Sequence, residues 1–270
     1  MNKAIIDIRQ RLLHHLQTIY AEVELEESLD QLCGRLLEIM EISPGCQPPA
    51  SHENLWDEAE IAMITYGDSI SQGGEKPLKT LHLFLNTYLK GTISSVHILP
   101  FFPWSSDDGF AVMNFSSVNE SLGDWHNIEA ISRDYRLMAD LVINHCSSRS
   151  IWFENFKKGV SPGKDYFFTA SPDEDTSQVV RPRTSPLLRE TVTVDGIRFV
   201  WCTFSHDQVD LDFRNPRVLE EFVGIIRHYL NNGVRIFRLD AVAFLWKKLG
   251  SSCINLKQTH EMVRLLRTLI

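Results

Sequence analysis

Carboxylates, a guanidinium and an imidazole recur along this 270-residue chain at spacings that suit sugar chemistry. Arg238 and Asp240 stand two residues apart at the end of an apolar run, Val234, Ile236 and Leu239, that follows the turn-forming pair Asn232-Gly233. The run reads as a buried strand opened by a turn. Side chains two apart on a strand point the same way, so the guanidinium lies beside the carboxylate. Burying such a pair is costly. It is either a structural ion pair or a catalytic carboxylate at the top of a parallel α/β sheet or barrel. Other polar groups follow other apolar runs. Asp68 comes after the run 61–66, and Asp107, Asp108 and Phe110 come after the run 96–99. Asp140 precedes Asn144-His145. Acids with a histidine, an arginine and aromatic rings can pair with hydroxyls and stack on a pyranose face. The chain has no GxxxxGK, HExxH or GxSxG motif.

The elements that must position these groups can be read from periodicity. Ile5, Ile8, Leu12, Leu16, Ile19 and Val23, then Leu29, Leu32, Leu36, Leu37 and Met40, recur at helical spacing and predict a helical hairpin or packed extension over 1–44. The stretch 43–49, with three prolines and a glycine, reads as a linker. Strands are expected at 61–66, at 96–99 before Pro100, within 137–144, and at 234–240. Helices are expected at 78–89, 125–134, 219–230 and 259–270. The loop 101–117 is long enough to carry function. Residues 146–206 hold Pro162, Pro172, Pro182 and Pro186 and read as an irregular insertion, with a hairpin over 191–200 turning at Asp195-Gly196. Alternating strands and helices predict an α/β fold with a parallel sheet, the N-terminal portion of a TIM (β/α)8 barrel of about four strands. The expected division is 1–50 helical extension, 51–145 first part of the barrel, 146–206 inserted subdomain and 207–270 continuation of the barrel.

Composition sets outer bounds. With 43% hydrophobic residues the chain can bury a substantial core, and a formal charge of -8 gives no reason to expect a nucleic-acid partner. No segment approaches 18 apolar residues, and the first twenty residues lack the apolar core of a signal peptide. Five scattered cysteines without a CxxC spacing suit reduced thiols, so a cytoplasmic protein is expected.

Two segments then carry a resemblance. Asp140-Leu141-Val142-Ile143-Asn144-His145 resembles the first conserved region of the α-amylase superfamily, and Phe237-Arg238-Leu239-Asp240 resembles the second. Tyr66-Gly67-Asp68, Val96 to Phe102, Asp107-Asp108-Gly109-Phe110, Arg181-Pro182-Arg183, Gln208-Val209-Asp210-Leu211 and Thr259-His260 are similar to the sucrose phosphorylase subfamily. The resemblance runs from about residue 61 to 270 and implies retaining double displacement, with Asp240 as nucleophile and Arg238 keeping it ionised. His145 would bond a glucosyl hydroxyl, Asp107 would bind hydroxyls at the closed end of the donor pocket, and Phe110 would form an apolar wall. Phosphate would take the glucosyl group as co-substrate, with Arg183 as a contact for phosphate or acceptor. No cofactor or metal is implied, and the full-length protein could be a homodimer. A hydrolase or transglucosylase of the same superfamily, or a non-catalytic sugar-binding fragment, are the alternatives.

Departures from that pattern shape further expectations. Val180 stands where sucrose phosphorylases carry a tyrosine before Arg-Pro-Arg, and residues 101–108 look more like relatives that act on sucrose 6-phosphate or glucosylglycerate. The resemblance places the general acid/base glutamate after a fifth strand, and the sequence ends at Ile270 before reaching one. Glu261, inside a helix, is a poor substitute. The chain alone is therefore expected to be inactive and poorly soluble, with apolar strand surface and a sheet edge exposed. Asp140 is expected to be structural, His97 to be a satisfied core histidine, His14-His15 to be incidental surface residues, and Arg181 to pair with an acid of the insertion.

Overall fold

The structure is a computed structural model that describes residues 3–43 and 57–270. The expected linker lies outside them from residue 44 onward. In chain order the elements begin with α1 (Lys3–Ile19), α2 (Leu29–Ile39), β1 (Ala62–Thr65), α3 (Pro77–Phe84), β2 (Ser95–Ile98), α4 (Trp125–Asp134), β3 (Arg136–Val142), β4 (His145–Ser147) and α5 (Ile151–Lys158). They continue with β5 (Leu188–Thr193), β6 (Gly196–Trp201), β7 (Gln208–Asp210), α6 (Pro216–Asn231), β8 (Val234–Asp240) and α7 (Lys257–Leu269). Local chemistry sets several starts. Ser28 and Gln31 form a capping box on α2, Asp124 and Asn127 do the same on α4, and Asn215 caps α6 just before Pro216.

The sheet β1-β2-β3-β8 is parallel throughout, with helices between its strands, as expected for the front portion of a (β/α)8 barrel. Its two faces differ. Val96, Ile98, Leu137, Ala139 and Leu141 are fully buried on one face, in one core with Leu78, Leu81, Ile128, Ile131, Phe222 and Ile226 from α3, α4 and α6. On the other face Ile64, His97, Met138 and Ile236 form a row across the strands, with Asp140, Arg238 and Asp240 beyond it. Nothing covers the β1 end of that row among the described residues, and Ile64 is 65% exposed. The strand predicted at 61–66 is thus not the fully buried one its composition suggests. It is an edge strand, and only Thr65 within β1 is buried.

Three further expectations are modified. The α-helical part of 78–89 ends at Phe84, and Leu85–Leu89 form a π turn in which the Thr87 hydroxyl donates to the Leu83 carbonyl. In the hairpin, Thr193 pairs with Gly196, so Val194-Asp195 make the turn and Gly196, at φ 107°, opens β6. The His14-His15 reading is corrected at His15. α1 packs on α2 and α7, and His15 Nδ1 lies 2.7 Å from Glu261 Oε2 with only 13% of the side chain exposed. Helical spacing reveals which face of α1 is apolar but not that α7 covers a polar position beside it. Leu12, Leu16, Leu32 and Leu36 of α1 and α2 are fully buried in the same core as the sheet.

In the insertion, β4 and β7 pair antiparallel, His145 opposite Asp210 and Ser147 opposite Gln208. That ladder ties the end of β3 to the returning chain. The four described cysteines, Cys33, Cys146, Cys202 and Cys253, are buried free thiols.

The turn from α6 into β8 depends on Gly233, at φ 90°, where an added Cβ would lie 2.0 Å from Ser132 Oγ. Gly233→Ala is expected to cost about 1–3 kcal/mol, read from the urea midpoint. Adding Ser132→Gly removes the collision but not the backbone strain, so it restores only part of the loss.

Candidate active site

The register of β3 against β8 sets Asp140 opposite Arg238 and Val142 opposite Asp240. Arg238 therefore reaches two carboxylates. It donates from Nη1 to Asp140 Oδ1, and its Nη2 lies 3.0 Å from Asp240 Oδ1. Asp140, fully buried, is also held by His97 Nε2 at 2.8 Å. Asp140 and His97 thus satisfy each other inside the sheet, and the part of Asp140 is to aim Arg238. Asp240 keeps 18% of its side chain exposed at the open end of the strand. Arg238 favours its ionised form, but it is not the largest influence on the group. Burial pushes the Asp240 carboxyl above its ordinary value, Arg238 pulls it down without cancelling the effect, and Asp140 and Asp107 push it further up.

The loop after β2 brings Asp107 and Phe110 to the same place. Asp107, Asp108 and Gly109 take φ of 57°, 49° and 103° in succession. Left-handed backbone at two non-glycine residues is strained and needs surrounding structure to hold it. Asp207 supplies part of that hold. Its carboxylate accepts from the hydroxyls of Ser105, Ser106 and Ser148, joining the loop to the segment after His145. Burial works to raise the Asp207 carboxyl, but the three hydroxyls and Arg149 outweigh it and hold the group below its ordinary value. Phe110 places its ring 5.4 Å from the Arg238 guanidinium, a cation–π contact. Its backbone carbonyl lies 3.1 Å from His145 Nε2.

Gln208 links the remaining groups. Its Nε2 donates to Asp107 Oδ2 at 2.8 Å and lies 3.2 Å from His145 Nε2. Behind His145 is a buried polar cluster. Asp210, fully buried, accepts from the Thr203 amide at 3.0 Å and its hydroxyl at 2.6 Å, from Asn144 Nδ2 at 3.0 Å, and from Lys247 Nζ at 2.9 Å. His145 is 1% exposed, with the Phe204 ring 5.1 Å away. Burial pushes its imidazole down to about 4.

Asp107, Phe110, His145, Arg238 and Asp240 are thereby one connected group at the C-terminal ends of the strands. Arg183 is not joined to it. It lies exposed on the loop before β5, and among the described residues no contact ties it to the cluster. The expectation that the neighbouring Arg181 pairs with an acid of the insertion is corrected: it donates to the Ser185 carbonyl, because its own loop folds back around it. Glu261 is engaged by His15 and by Arg264, away from Asp240. Asp207, Gln208 and Lys247 carry much of the geometry, and sequence reasoning gave none of them a role. Gln208 was visible only as part of a motif, and Lys247 stands in an ordinary Lys-Lys pair.

A cleft of about 370 Å³ beside the group is lined by Tyr66, Asp68, Trp104 and Asp108. A larger cleft, about 1120 Å³, lies between Glu22 to Glu27 and Arg214 to Arg217 and contains none of these residues. Its two arginines are already engaged, Arg214 with Asp212 and Arg217 with the nearby Glu220. No three His, Cys, Asp or Glu side chains are grouped to hold a metal among the described residues. No described helix is long and apolar enough to cross a membrane.

Two pH-dependent outcomes follow from these environments. The folded state holds the Asp240 proton more tightly than the unfolded chain, so this group's contribution to stability falls as pH rises through the carboxylate range. Asp240→Asn is expected to raise the urea midpoint at pH 7 and to lose that gain near pH 3. For His145, the unfolded chain binds the proton first on acidification, so stability falls between pH 6.5 and about 4. The loss through this group is about 3 kcal/mol, and His145→Gln should flatten that part of a stability-against-pH curve.

The chain matches the family described as alpha amylase, catalytic domain, over residues 86–264. It is 50% identical over 213 residues to glucosylglycerate phosphorylase of Spirochaeta thermophila, covering 79% of this chain and 36% of that protein. It is 39% identical over 264 residues to glucosylglycerate phosphorylase of Escherichia coli, covering 97% of this chain and 46% of that protein. The crystal structure of sucrose 6F-phosphate phosphorylase from Thermoanaerobacter thermosaccharolyticum superposes with a TM-score of 0.72 at 31% identity, covering 80% of this chain and 46% of that one. The chain thus spans less than half the length of these relatives. The matched region begins in the π turn after α3 and ends inside α7, taking in β2, β3, β8 and every residue of the connected group, and on that ground the chain belongs to the α-amylase catalytic-domain family.

Proposed function

We propose that this chain supplies the nucleophile and the donor pocket of a retaining glucosyl phosphorylase. Its substrate would be sucrose or a sucrose-like α-glucoside such as sucrose 6-phosphate or glucosylglycerate. The observation that carries the reading is the connected group in which Arg238 aims Asp240 while Asp107, Gln208, His145 and Phe110 line the approach. The names of the relatives support phosphorolysis as the second half-reaction.

In this reading a carboxylate oxygen of Asp240 attacks the anomeric carbon as the bond to the aglycone oxygen breaks, giving a β-glucosyl ester. A phosphate oxygen then displaces the ester and leaves α-glucose 1-phosphate, with Asp240 regenerated. Phosphate is a co-substrate, and no cofactor takes part. Burial of Asp240 disfavours its charge in the resting site and so favours the step in which that charge is spent on the new bond. Asp107 and His145 grip glucosyl hydroxyls, and Phe110 gives the ring an apolar wall. Arg183, exposed and charged, is suited to meet phosphate or an acidic aglycone.

The aglycone oxygen needs a proton as it leaves. Asp140 is bound by His97 and Arg238, Asp107 by Gln208, and Glu261 by His15 and Arg264, so none of these is free to give one. A positioned acid is worth on the order of 10²–10⁴ in rate, so the 270-residue chain by itself is proposed to be nearly inactive. The test is release of glucose 1-phosphate from sucrose, sucrose 6-phosphate and glucosylglycerate, with and without phosphate. The chain alone should release none, and the chain joined to a complementary barrel half that carries a glutamate should do so only with phosphate. Asp240→Asn in the joined protein should abolish release. Rapid turnover by the chain alone would overturn the inactivity, and free glucose without phosphate would make the protein a hydrolase.

A further inference from the structure

Lys247 is a charged side chain buried to 3% exposure, seven residues beyond Asp240, and the mechanism above gives it no work. Its ammonium can only donate. It lies 2.7 Å from Asn144 Oδ1 and 2.9 Å from Asp210 Oδ2, with the Leu211 carbonyl at 3.4 Å. The contact to Oδ1 commits the Asn144 amide, whose Nδ2 must then face the other way as a donor. From there Nδ2 reaches Asp210 Oδ2 at 3.0 Å and His145 Nδ1 at 3.3 Å. An Nδ1 that faces a donor is an acceptor and carries no proton. On the far side of the ring, Nε2 lies 3.1 Å from the Phe110 carbonyl, which can only accept.

One contact opposes this arrangement. Gln208 Nε2 stands 3.2 Å from His145 Nε2, and its orientation is held by Asp107 on Nε2 and by the Ser205 hydroxyl on Oε1. A proton on Nε2 therefore satisfies Asn144 and Phe110 and leaves Gln208 facing a donor. A proton on Nδ1 would satisfy Gln208 alone. The balance is two hydrogen bonds against one, and it depends on which way the Asn144 amide points. If that amide turned over, its oxygen would welcome a proton on Nδ1 and the balance would reverse. Lys247 on the oxygen and Asp210 on the nitrogen together prevent the turn, and Lys247 holds Asp210 in place as well.

We propose that Lys247 is a positioning residue that fixes His145 as the neutral imidazole with its proton on Nε2, through the orientation of the Asn144 amide. The charged groups that act on the ring are Asp210, Lys247 and Asp107, and the first two neutralise each other. The ring then presents a donor on the side of Phe110, Gln208 and Asp107. Resting on the glucosyl-transfer reading, a sugar hydroxyl would take that donor in place of the Phe110 carbonyl. Lys247 also fastens the loop that follows the nucleophile to the pocket that receives the sugar.

The test is the tautomer itself, read from imidazole ¹⁵N shifts and two-bond N–H couplings in the ¹⁵N-histidine-labelled chain. At pH 7 the wild-type His145 should show Nε2 as the protonated nitrogen and Nδ1 as the bare one. The double variant Lys247→Met, Asp210→Asn removes both buried charges together, which avoids leaving either one unpaired. It should give averaged shifts as the Asn144 amide is released, while Lys247→Arg, which keeps the donor and its charge, should retain the wild-type pattern. A proton on Nδ1 in the wild type overturns the proposal whether or not any variant folds. An unchanged Nε2–H pattern in the double variant overturns it as well, because Phe110 alone would then suffice. Neither result depends on turnover. Failure of glucosyl transfer with the Nε2–H pattern intact would remove the proposed function and leave this inference standing.

Discussion

One guanidinium holds the candidate site together. Arg238 lies on β8, one of the two edge strands of the sheet, opposite Asp140 on its neighbour, and two residues before Asp240. It joins the two carboxylates, and it can do so because the parallel register brings all three to one face. A fully buried carboxyl such as Asp140 needs hydrogen-bond partners, and Arg238 is one of them. His97 on the next strand completes the arrangement by bonding the second oxygen of Asp140. Three neighbouring strands are thus locked in register by polar contacts at the level where the chemistry is proposed, while apolar packing on the opposite face supplies the stability.

The rest of the site is layered around that lock, and each layer is held by another. The strained Asp107 to Gly109 segment is kept in place by Asp207 and its three serines, and by the close fit of Gly109, where an added Cβ would lie 2.9 Å from Pro100 Cβ. The left-handed Ala241, directly after Asp240, turns the chain sharply into the loop that carries Lys247. Strain of this kind costs of order 1–3 kcal/mol per residue and persists only where surrounding contacts over-determine it. Here those contacts include the part-buried hydrogen bonds of Asp207, and removing one partner would loosen several groups together. The same feature makes the site rigid and its pieces interdependent.

The sheet is less complete than the site. One face packs under helices in a continuous core, while on the other Ile64 and Tyr66 are 65% and 38% exposed, and Ile61 just before β1 is 49% exposed. The outer edges of β1 and β8 have no strand partner among the described residues. Apolar side chains at a sheet edge invite association, and in this family a barrel interior is a packed core. Together with a span of less than half its relatives' length, this agrees with a chain whose strand-end chemistry is assembled before its barrel is closed.

The sequence by itself determined the repeating order of strands and helices, because apolar periodicity is a local property of the chain. The strands at 96–99 and 234–240 and the helices at 125–134 and 219–230 were legible for that reason. It also marked Asp107, Phe110, His145, Arg238 and Asp240, since short motifs keep chemical groups at fixed offsets from strand ends. What it could not decide was everything that depends on approach between distant segments. Only the tertiary structure showed that His15 meets Glu261 across two helices, that Arg183 stands apart from the group, and that burial outweighs Arg238 in shifting the Asp240 carboxyl. Lys247 is the clearest case. Nothing in its neighbours distinguishes it from a surface lysine, and its role arises only because the loop after β8 folds back onto Asn144 and Asp210, more than 35 residues away along the chain.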